Sequence, residues 1–247
     1  MPCRPGRILP ESNLICARRV MDDCGELYLR AKALAEAEAI QRDLARRVEL
    51  RPLKGPLRTI AAVDADYGET LTYAAVLLFR YSQCNTPIEK RIAIRPTAFP
   101  YLPGYLSLRE APAALDALNH LSQPPDLVLV DGQGIAHPRR FGIACHIGVL
   151  TGLPTIGCAK SHLVGTFREP GPQQGNWSPL ELDGEVVGAV LRTRTGVRPL
   201  FVSPGHLVRL DDAIEVVLHC STRYRVPEPL RIADREAKAT RKEWHSA

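Results

Sequence analysis

The amino-acid sequence predicts an α/β domain built on a mixed sheet, antiparallel on one side and parallel on the other. Three apolar, β-compatible runs follow one another within residues 58–96, as expected for adjacent antiparallel strands. Between residues 126 and 159 a strand pattern, a helix pattern and a second strand pattern follow in that order, which is typical of a parallel crossover. A chain of 247 residues with 45% hydrophobic content is long enough for one substantial core, so we expect a single domain.

The N-terminal part of the chain changes character near Glu26. Residues 1–24 mix proline, glycine and charge without periodicity, so they are predicted to form a flexible lead ahead of a domain spanning residues 25–247. The lead lacks the apolar core of a secretory signal, and no apolar run in the chain reaches the roughly 18 residues of a membrane span. From Leu27 to Val48 apolar residues recur at steps of three and four, which predicts an amphipathic helix that ends before Pro52.

The rest of the chain alternates between strand and helix patterns. The "DG" pair at Asp183 and Gly184 predicts a tight turn between strands. Asp212 and Glu215 have the spacing of a capping box at the start of a helix. The predicted strands cover residues 58–66, 72–81, 87–96, 126–131, 154–159, 181–193 and 199–205, and the predicted helices cover residues 110–121, 141–152, 211–220 and 228–243.

Charge and cysteine usage narrow the class of protein. A formal net charge of +5 and a pI near 8.9 fit an acidic polymer as partner, although a solvated basic surface would give the same numbers. The cysteines are odd in number and include no C-x-x-C pair, so the sequence indicates neither a zinc site nor a disulfide framework. We expect reduced thiols in a cytoplasmic protein. The seven cysteines are Cys3, Cys16, Cys24, Cys84, Cys145, Cys158 and Cys220.

Two predicted strands each run from apolar residues into an aspartate. They read "AAVDADYGE" around Asp64 and "LVLVDGQG" around Asp131. The carboxyl ends of strands commonly line the active crevice of an α/β sheet, so two such aspartates on neighbouring strands converge. An isolated buried carboxylate is costly and needs a partner such as a metal ion, whereas an aspartate that merely caps the next turn needs none. For the pair, with glycines in "DGQG" that allow close ligand approach, both interpretations stay open.

Carboxylate ligands without cysteine or histidine favour a hard cation. Such a site suits Mg²⁺ or Mn²⁺ better than zinc. These ions commonly support phosphoryl chemistry, in which they polarise a phosphoryl oxygen and activate water. A basic surface would then serve to bind a phosphodiester substrate.

Beyond these general features, a series of motifs resembles the endonuclease V family of deoxyinosine 3′ endonucleases. The resemblance runs from about Arg30 to Asp234, and its longest block lies between Leu129 and Gly165. It implies an RNase H-like fold and a Mg²⁺- or Mn²⁺-dependent nuclease. Family members recognise a deaminated base, above all hypoxanthine, and cut the second phosphodiester bond on its 3′ side. The motifs, in order, are "VDADY", "FPYLPGYLSLREAP", "LVDGQGIAHPRRFGIACHIGVLTGLPTIGCAKSHLVG", "FVSPGH" and "RYRVPEPLRIAD".

The resemblance assigns a catalytic set residue by residue. It implies metal carboxylates at Asp64, Glu110 and Asp131, and Asp234 falls where the family has an aspartate or histidine that completes the cluster. Lys160 falls at the family's active-site lysine, where an ammonium group can stabilise developing charge on the phosphate or orient the attacking water. By composition alone, Lys160 would be read as an exposed lysine at the end of a strand.

The segment "PYLPG" matches the wedge of the family. Tyr101 lies between two prolines, which fix the backbone and can present its ring as a stacking surface beside an extruded base. The alternative is a tyrosine that packs a proline-rich turn onto the core. The resemblance further implies a base pocket, made largely of backbone groups, that admits hypoxanthine and disfavours the amine of adenine. Its matching positions include Gly104, Leu106, Gly132 and Leu163.

Two further features leave alternatives open. His137 matches a family histidine that contacts a phosphate or a metal-bound water, but a satisfied core histidine would fit as well. Arg139 and Arg140 are either phosphate contacts or part of a solvated turn. Asp66 stands where the family commonly has serine; by strand alternation it shares a face with Asp64, where it adds either a ligand or a repulsive charge.

The leading hypothesis is a monomeric, metal-dependent endonuclease that acts in DNA repair on DNA containing deoxyinosine and leaves 3′-hydroxyl and 5′-phosphate ends. A non-cleaving binder of deaminated nucleic acid is a second hypothesis, and the complete set of carboxylates with Lys160 counts against it. A third is an RNase H-like nuclease for junctions or hybrids, against which the wedge-like "PYLPG" argues. The sequence does not decide between DNA and inosine-containing RNA, because backbone contacts and a flipped base serve both.

Overall fold

The computed structural model describes residues 34–246. The predicted lead at residues 1–24, the start of the predicted first helix and Cys3, Cys16 and Cys24 lie outside these residues. The described strands are β1 (Thr59–Tyr67), β2 (Leu71–Arg80), β3 (Gln83–Pro96), β4 (Leu127–Asp131), β5 (Thr155–Ala159), β6 (Trp177–Leu182), β7 (Glu185–Leu191) and β8 (Leu200–His206). The described helices are α1 (Leu34–Ala45), α2 (Leu106–Asn119), α3 (Ile143–Thr151), α4 (Leu210–His219) and α5 (Glu228–Ser246).

All eight strands join one mixed sheet in the order β3-β2-β1-β4-β5-β8-β7-β6. The hairpin-connected strands β1 to β3 are antiparallel, as their sequence predicts. Strands β1, β4 and β5 are parallel to one another, and α3 supplies the predicted crossover between β4 and β5. The last three strands return antiparallel. The predicted α/β mixed sheet in a single domain, of the RNase H-like kind, is therefore confirmed.

The helices cover both faces of the sheet. On one face α2 and α3, together with Ala37 of α1, pack against residues of β1 and β2 such as Val63 and Val76. On the other face α4 and α5 pack against the alternate residues of the same strands, such as Ala62 and Leu77. Because both faces of the central strands are covered, these strands are apolar along most of their length, as expected for strands inside an α/β sheet.

The first aspartate does not lie at a strand end, contrary to the prediction. Strand β1 continues past Asp64 to Tyr67, because these last residues keep pairing with β2. The parallel pairing with β4, in contrast, ends at the Val63–Val130 pair. Asp64 therefore stands where the parallel sheet opens, and Asp131 ends β4 beside it.

Helix α2 begins earlier than the pattern predicts. It starts at Leu106 instead of at residue 110 and contains Pro112 in its interior. Tyr105 precedes it without a side-chain cap, so no capping residue marks the start in the sequence. The earlier start places Glu110 inside the helix, where its side chain is buried.

The predicted capping box of α4 is wrong. The helix begins at Leu210, so Asp212 is its third residue and does not stand before its first turn. There the Asp212 carboxylate accepts hydrogen bonds from the backbone N–H groups of Arg209 and Leu53, both at 3.2 Å. The carboxylate thus satisfies free N–H groups at the start of the helix and fastens the segment before β1 to it.

Two smaller features complete the fold. The "DG" turn joins β6 and β7 as predicted, with φ of 55° at Asp183 and 80° at Gly184, but β6 begins earlier than expected, at Trp177. The four described cysteines are free thiols, and the Sγ atoms of Cys84 and Cys220 are 3.4 Å apart.

Among residues 34–246 no helix combines the length and the apolar character that crossing a membrane requires.

Candidate metal centre and adjoining pocket

Three aspartates from separate elements converge at the edge where the parallel strands open. Asp64 and Asp131 follow the Val63–Val130 pair on neighbouring strands, as predicted. Asp234 joins them from α5, which packs against β1. The three residues each offer a carboxylate oxygen within 4.8 Å of the others. We call these residues the aspartate cluster.

Strand alternation explains why these side chains meet. Asp64 follows Ala62 by two residues and Asp131 follows Leu129 by two, and both apolar residues face α4 and α5. On α5, Ala233 packs into the same core, and Asp234 follows it at the rim. Strands β1 and β4 and the facing helix α5 thus direct their carboxylates to one point between the sheet and the helix.

The electrostatics of Asp64 call for a cation. Its Oδ1 accepts a hydrogen bond from the N–H of Ala65 at 2.8 Å, whereas its Oδ2 is buried and has no partner among the described residues. Burial, and then the charge of Asp131, raise the pKa of Asp64 well above its usual value. A buried carboxylate oxygen that has no partner and lies beside other carboxylates is unfavourable unless a cation joins it. The aspartate cluster therefore fits a hard divalent ion held by carboxylates.

Glu110 reaches the same region from the opposite layer of the fold. It lines one cavity together with the aspartate cluster, but it is not among the three residues with oxygens within 4.8 Å of one another. Its side chain is buried, and burial followed by the charge of Asp131 raises its pKa to about 8. Of the four predicted metal carboxylates, the structure thus brings three together at ligand spacing and places the fourth beside them.

Lys160 follows β5 and extends into the aspartate cluster. Its Nζ donates a hydrogen bond to Asp131 Oδ2 and lies 3.8 Å from Asp234 Oδ1. Partial burial acts to lower the pKa of Lys160, but the charge of Asp131 and the hydrogen bond outweigh it and raise the pKa. Although it is half-exposed at a strand end, as composition predicts, Lys160 is a fixed positive charge among carboxylates.

Asp66 lines the same cavity as Asp64, as its alternation predicts. Both of its oxygens lie 3.3 Å from Nη1 of Arg241, a residue of α5 that the sequence motifs did not single out. This ion pair offsets the extra negative charge of Asp66. Nothing local in the sequence indicated the pair, because its members are far apart in the chain.

A pocket of about 440 Å³ adjoins the aspartate cluster, and Asp131 and Lys160 line both. We call it the base pocket, after the role that the sequence resemblance predicts for its residues. Its walls combine backbone at glycine positions with a few apolar side chains, and they include every residue that the sequence predicted for substrate binding. These residues are Tyr101, Gly104, Leu106, Gly132, His137 and Leu163.

Tyr101 is presented to solvent at the mouth of this pocket. It is 59% exposed, and its ring stacks on that of Tyr67 with centroids 5.9 Å apart. The guanidinium of Arg109 lies 4.2 Å from the centroid of the Tyr67 ring. The alternative, a tyrosine that packs its turn onto the core, does not match this exposure.

The backbone of the base pocket is held from behind at Gly104. The Gly104 carbonyl accepts hydrogen bonds from Gln41 Nε2 at 3.0 Å, His137 Nε2 at 2.9 Å and Arg139 Nη2 at 2.7 Å. Arg139 Nε in turn donates to Gln41 Oε1. These three side chains, which we call the Gly104 clamp, fix a glycine whose φ of +81° few other residues adopt.

His137 therefore has the contacts of a satisfied core histidine. Its Nδ1 accepts a hydrogen bond from the N–H of Arg139 at 3.2 Å, so the clamp and this bond occupy both ring nitrogens. Burial lowers its pKa to about 4, so the ring is neutral at physiological pH. Arg140 is also engaged internally, through Leu182 O at 2.8 Å and Glu185 at 3.2 Å. In this structure neither arginine belongs to a free, solvated turn.

The glycines of "DGQG" serve close packing of the backbone. A Cβ at Gly134 would lie 2.0 Å from Pro204 O, and one at Gly132 would lie 2.5 Å from Ile143 Cγ2.

Between these two glycines, Gln133 donates from Nε2 to Ser161 O at 3.2 Å, and its Oε1 is buried without a partner among the described residues. Gln133 lines the base pocket, and its place between two glycines at a strand end was the one signal that could have singled it out.

Comparison with known proteins agrees with this geometry. The sequence model of the Endonuclease V family matches residues 42–235. An endonuclease V from Roseiflexus sp. strain RS-1 is 54% identical over 202 residues, which cover 82% of this chain and 90% of the relative. The crystal structure of endonuclease V from Streptomyces avermitilis superposes with a TM-score of 0.82 at 40% identity, covering 86% of this chain and 95% of that one.

A further solved structure contains nucleic acid. It is the Ciona intestinalis endonuclease V in complex with a 24mer DNA in which an inosine is followed by a ribo-adenosine. It superposes with a TM-score of 0.75 at 27% identity, covering 85% of this chain and 98% of that one.

The raised carboxyl pKa values predict how metal and pH affect stability. Because folding raises the pKa of Glu110 from 4.5 to about 8, the metal-free folded chain holds protons that the unfolded chain releases, and its stability falls as pH rises across that range. A divalent ion that occupies the aspartate cluster stabilises the fold, and it does so more at about pH 8 than at about pH 5. Thermal unfolding with Mg²⁺, with Mn²⁺ and with a chelator measures both effects.

The variant Asp64→Asn removes one carboxylate of the aspartate cluster and keeps the shape of its side chain. Folding of the metal-free wild type at neutral pH forces the buried Asp64 to take up a proton, and asparagine has no such cost. The substitution therefore raises the melting temperature of the metal-free chain by about 2–4 °C, the shift that about 1 kcal/mol produces in a chain of this size, and removes most of the stabilisation by metal. Asp183→Asn, at an exposed turn, is the matched control and leaves the metal effect intact. An equal metal effect in wild type and Asp64→Asn would contradict the site.

The Gly104 clamp predicts a cost for losing its buried amide. Gln41→Leu leaves the Gly104 carbonyl with one donor fewer and Arg139 with one acceptor fewer, so the free energy of unfolding falls by about 1–3 kcal/mol. Gln173→Leu, at an exposed position, is the control and changes it little. Chemical denaturation of the three proteins measures the difference, and equal stabilities would show that the clamp contributes nothing.

Proposed function

This chain belongs to the endonuclease V family, a family of nucleases, and we propose that it is a metal-dependent endonuclease for deaminated bases in DNA. The observation that carries the proposal is that two cavities adjoin: Asp131 and Lys160 line both the base pocket and the cavity that contains the aspartate cluster. A base held in the pocket therefore brings its own strand to the carboxylates.

Under this proposal Asp64, Asp131 and Asp234 hold Mg²⁺ or Mn²⁺, with Glu110 at the side of the site. Such an ion, when bound, polarises a phosphoryl oxygen and lowers the pKa of a coordinated water. Lys160 places a positive charge beside the phosphate, where it stabilises the negative charge that develops during hydrolysis. The buried Glu110 lies close enough to Asp131 for that charge to help raise the pKa of Glu110 to about 8, so Glu110 is neutral at physiological pH and is available to move a proton.

The base pocket is proposed to hold an extruded hypoxanthine. The inosine-containing DNA of the Ciona relative supports this assignment. Tyr101 fills the gap that the extruded base leaves in the stack, and the Gly104 clamp keeps the pocket backbone in a single position. Gln133 lines the pocket, and its buried Oε1 has no partner among the described residues. Once the amide turns toward the pocket, this oxygen offers an acceptor that hypoxanthine, with its N1–H, can use and that the unprotonated N1 of adenine cannot.

The reaction we propose is hydrolysis of the second phosphodiester bond on the 3′ side of the lesion, leaving 3′-hydroxyl and 5′-phosphate ends. The protein would act in DNA repair in the cytoplasm, as a monomer, through a catalytic domain of residues 25–247.

Inosine-containing RNA is a second candidate substrate. The specific observation in its favour is the ribo-adenosine that follows the inosine in the nucleic acid bound to the Ciona relative. A non-cleaving binder is the other alternative, and the aspartate cluster with its buried, unpartnered oxygen argues for catalysis instead.

The cleavage assay follows directly. A labelled oligonucleotide with one inosine is cut at the second bond on its 3′ side with Mg²⁺ or Mn²⁺, and the same oligonucleotide with adenosine is not. Asp131→Ala lowers the cleavage rate by at least about a hundredfold because it removes a metal ligand, whereas Asp183→Ala does not. Tight inosine-specific binding without cleavage would establish the binder instead, and parallel DNA and RNA substrates decide the preferred backbone.

The role of Tyr101 is tested by measuring binding of the inosine oligonucleotide in the presence of a chelator, which prevents cleavage. Tyr101→Ala weakens binding to the inosine oligonucleotide by about five- to a hundredfold, the effect of losing one stacking surface, whereas Tyr101→Phe keeps the ring and the affinity. The stabilisation by metal remains in both variants, since Tyr101 offers the metal no carboxylate. Unchanged binding in Tyr101→Ala would remove the wedge from the proposal.

A further inference from the structure

A second groove lies at the beginning of α5, outside the base pocket and the aspartate cluster. It has a volume of about 260 Å³ and lies between the start of β3, the loop that follows α4 and the first turns of α5. We call it the Tyr224 groove. The charged and aromatic side chains that line it are Arg223, Tyr224, Arg231 and Arg235, together with the buried Glu228.

The groove combines free positive charge with an exposed aromatic ring. Tyr224 is 43% exposed, and the guanidinium of Arg231 lies 3.7 Å from the centroid of its ring. Within residues 34–246 the side chains of Arg223 and Arg231 form no ion pair with a carboxylate. Glu228 forms no ion pair with either guanidinium among these residues; its Oε1 accepts hydrogen bonds from the Thr222 hydroxyl and the N–H of Arg223. Arginine beside an exposed aromatic ring is a combination that binds single-stranded nucleic acid, through phosphate and base respectively.

Its position relates the groove to the reacting centre. Arg231 precedes Asp234 by about one turn of α5, a distance of about 4.5 Å along the helix axis. The loop before α5 is tied to the same centre, because Arg225 Nη2 donates a hydrogen bond to Lys160 O at 2.6 Å. The base pocket and the Tyr224 groove share no lining residue. The aspartate cluster lies between them, because Asp131 lines the base pocket and Asp234 belongs to α5, whose first turns line the groove.

The other cations of α5 near this centre are already engaged. Lys238 pairs with Asp234 at 2.8 Å, and Arg241 pairs with Asp66 at 3.3 Å. A phosphate near them competes with a carboxylate. Arg223 and Arg231 have no such competitor, so the beginning of α5 is the favoured path for a strand that leaves the aspartate cluster.

We propose that the Tyr224 groove binds the nucleic-acid strand on the 3′ side of the cut. This inference rests on the proposed function, because it takes the base pocket as the place of the lesion and the aspartate cluster as the place of cleavage. A strand cut on the 3′ side of its lesion runs from the base pocket over the aspartate cluster and onwards to α5. Arg223 and Arg231 contact its phosphates, and Tyr224 stacks on one of its bases.

The test compares two oligonucleotides that share one inosine and the same 5′ arm. The short one ends with the nucleotide just beyond the cut, and the long one continues on the 3′ side for about ten nucleotides, enough to cover the roughly 4–16 that binding folds of this kind occupy. Fluorescence anisotropy in a chelator measures binding to wild type, Tyr224→Ala, Tyr224→Phe, Arg231→Ala and Arg46→Ala. Arg46, an exposed arginine just beyond α1, is the charge-matched control.

We expect wild type to bind the long oligonucleotide about tenfold more tightly than the short one, the contribution of one stacked base and one or two phosphates. Tyr224→Ala and Arg231→Ala lose this advantage but bind the short oligonucleotide as wild type does, whereas Tyr224→Phe and Arg46→Ala keep it. Arg231→Ala also reduces the salt dependence for the long oligonucleotide by about one unit of log–log slope.

Two outcomes would overturn the inference. Equal wild-type affinity for both oligonucleotides would show that no 3′ site exists, and an undiminished advantage in both Tyr224→Ala and Arg231→Ala would place that site elsewhere, leaving the groove to a different partner such as an acidic protein. Either result is distinct from failure of the proposed function, which would appear as equal binding of inosine and adenosine in the short oligonucleotide.

Discussion

The structure depends on holding like charges together at one edge of a sheet. Parallel pairing of β1 with β4 places Asp64 and Asp131 side by side, and α5 adds Asp234. No carboxylate cluster of this kind forms by its own interactions, since each charge raises the cost of burying the next. The free energy comes from the apolar core on both faces of the sheet, in which the central strands are almost completely buried.

Cations of the chain offset this repulsion in part. Lys160 lies among the aspartates, and Lys238 and Arg241 on α5 each bind an acidic residue of the same cavity. Lys238 and Arg241 are partly exposed and sit on long side chains, so their ion pairs exchange with other partners at little cost. The buried Oδ2 of Asp64, which has no hydrogen-bond partner among residues 34–246, is an atom that a small cation would satisfy.

The base pocket is rigid for a different reason. Gly134 lets β4 and the turn after it approach β8 closely, and the Gly104 clamp fixes the opposite wall with three donors on one carbonyl. A recognition surface made of backbone groups distinguishes bases only when its groups keep their positions, because a shift of an ångström exchanges one hydrogen-bond pattern for another. Part of the positive charge of the chain, on Arg139 and Arg140, serves this internal support. The net charge of +5 therefore overstates the charge that is free for nucleic acid, and the Tyr224 groove is one place among residues 34–246 where arginines without an ion pair lie together.

The sequence by itself determined the order and type of most elements, the mixed sheet and nearly all residues of the site, because these follow from local periodicity and from motifs that are contiguous in the chain. Tertiary structure decided what depends on distant partners. It placed Asp64 within β1 and not at its end, moved Asp212 inside α4 and gave Asp66 its partner Arg241, since strand pairing and helix packing set these contacts. It also turned His137 from a candidate phosphate ligand into a donor to Gly104, and it exposed Tyr224 beside Arg231. The sequence states which chemical group each side chain carries, but only the packing of strands and helices decides which partners that group can reach.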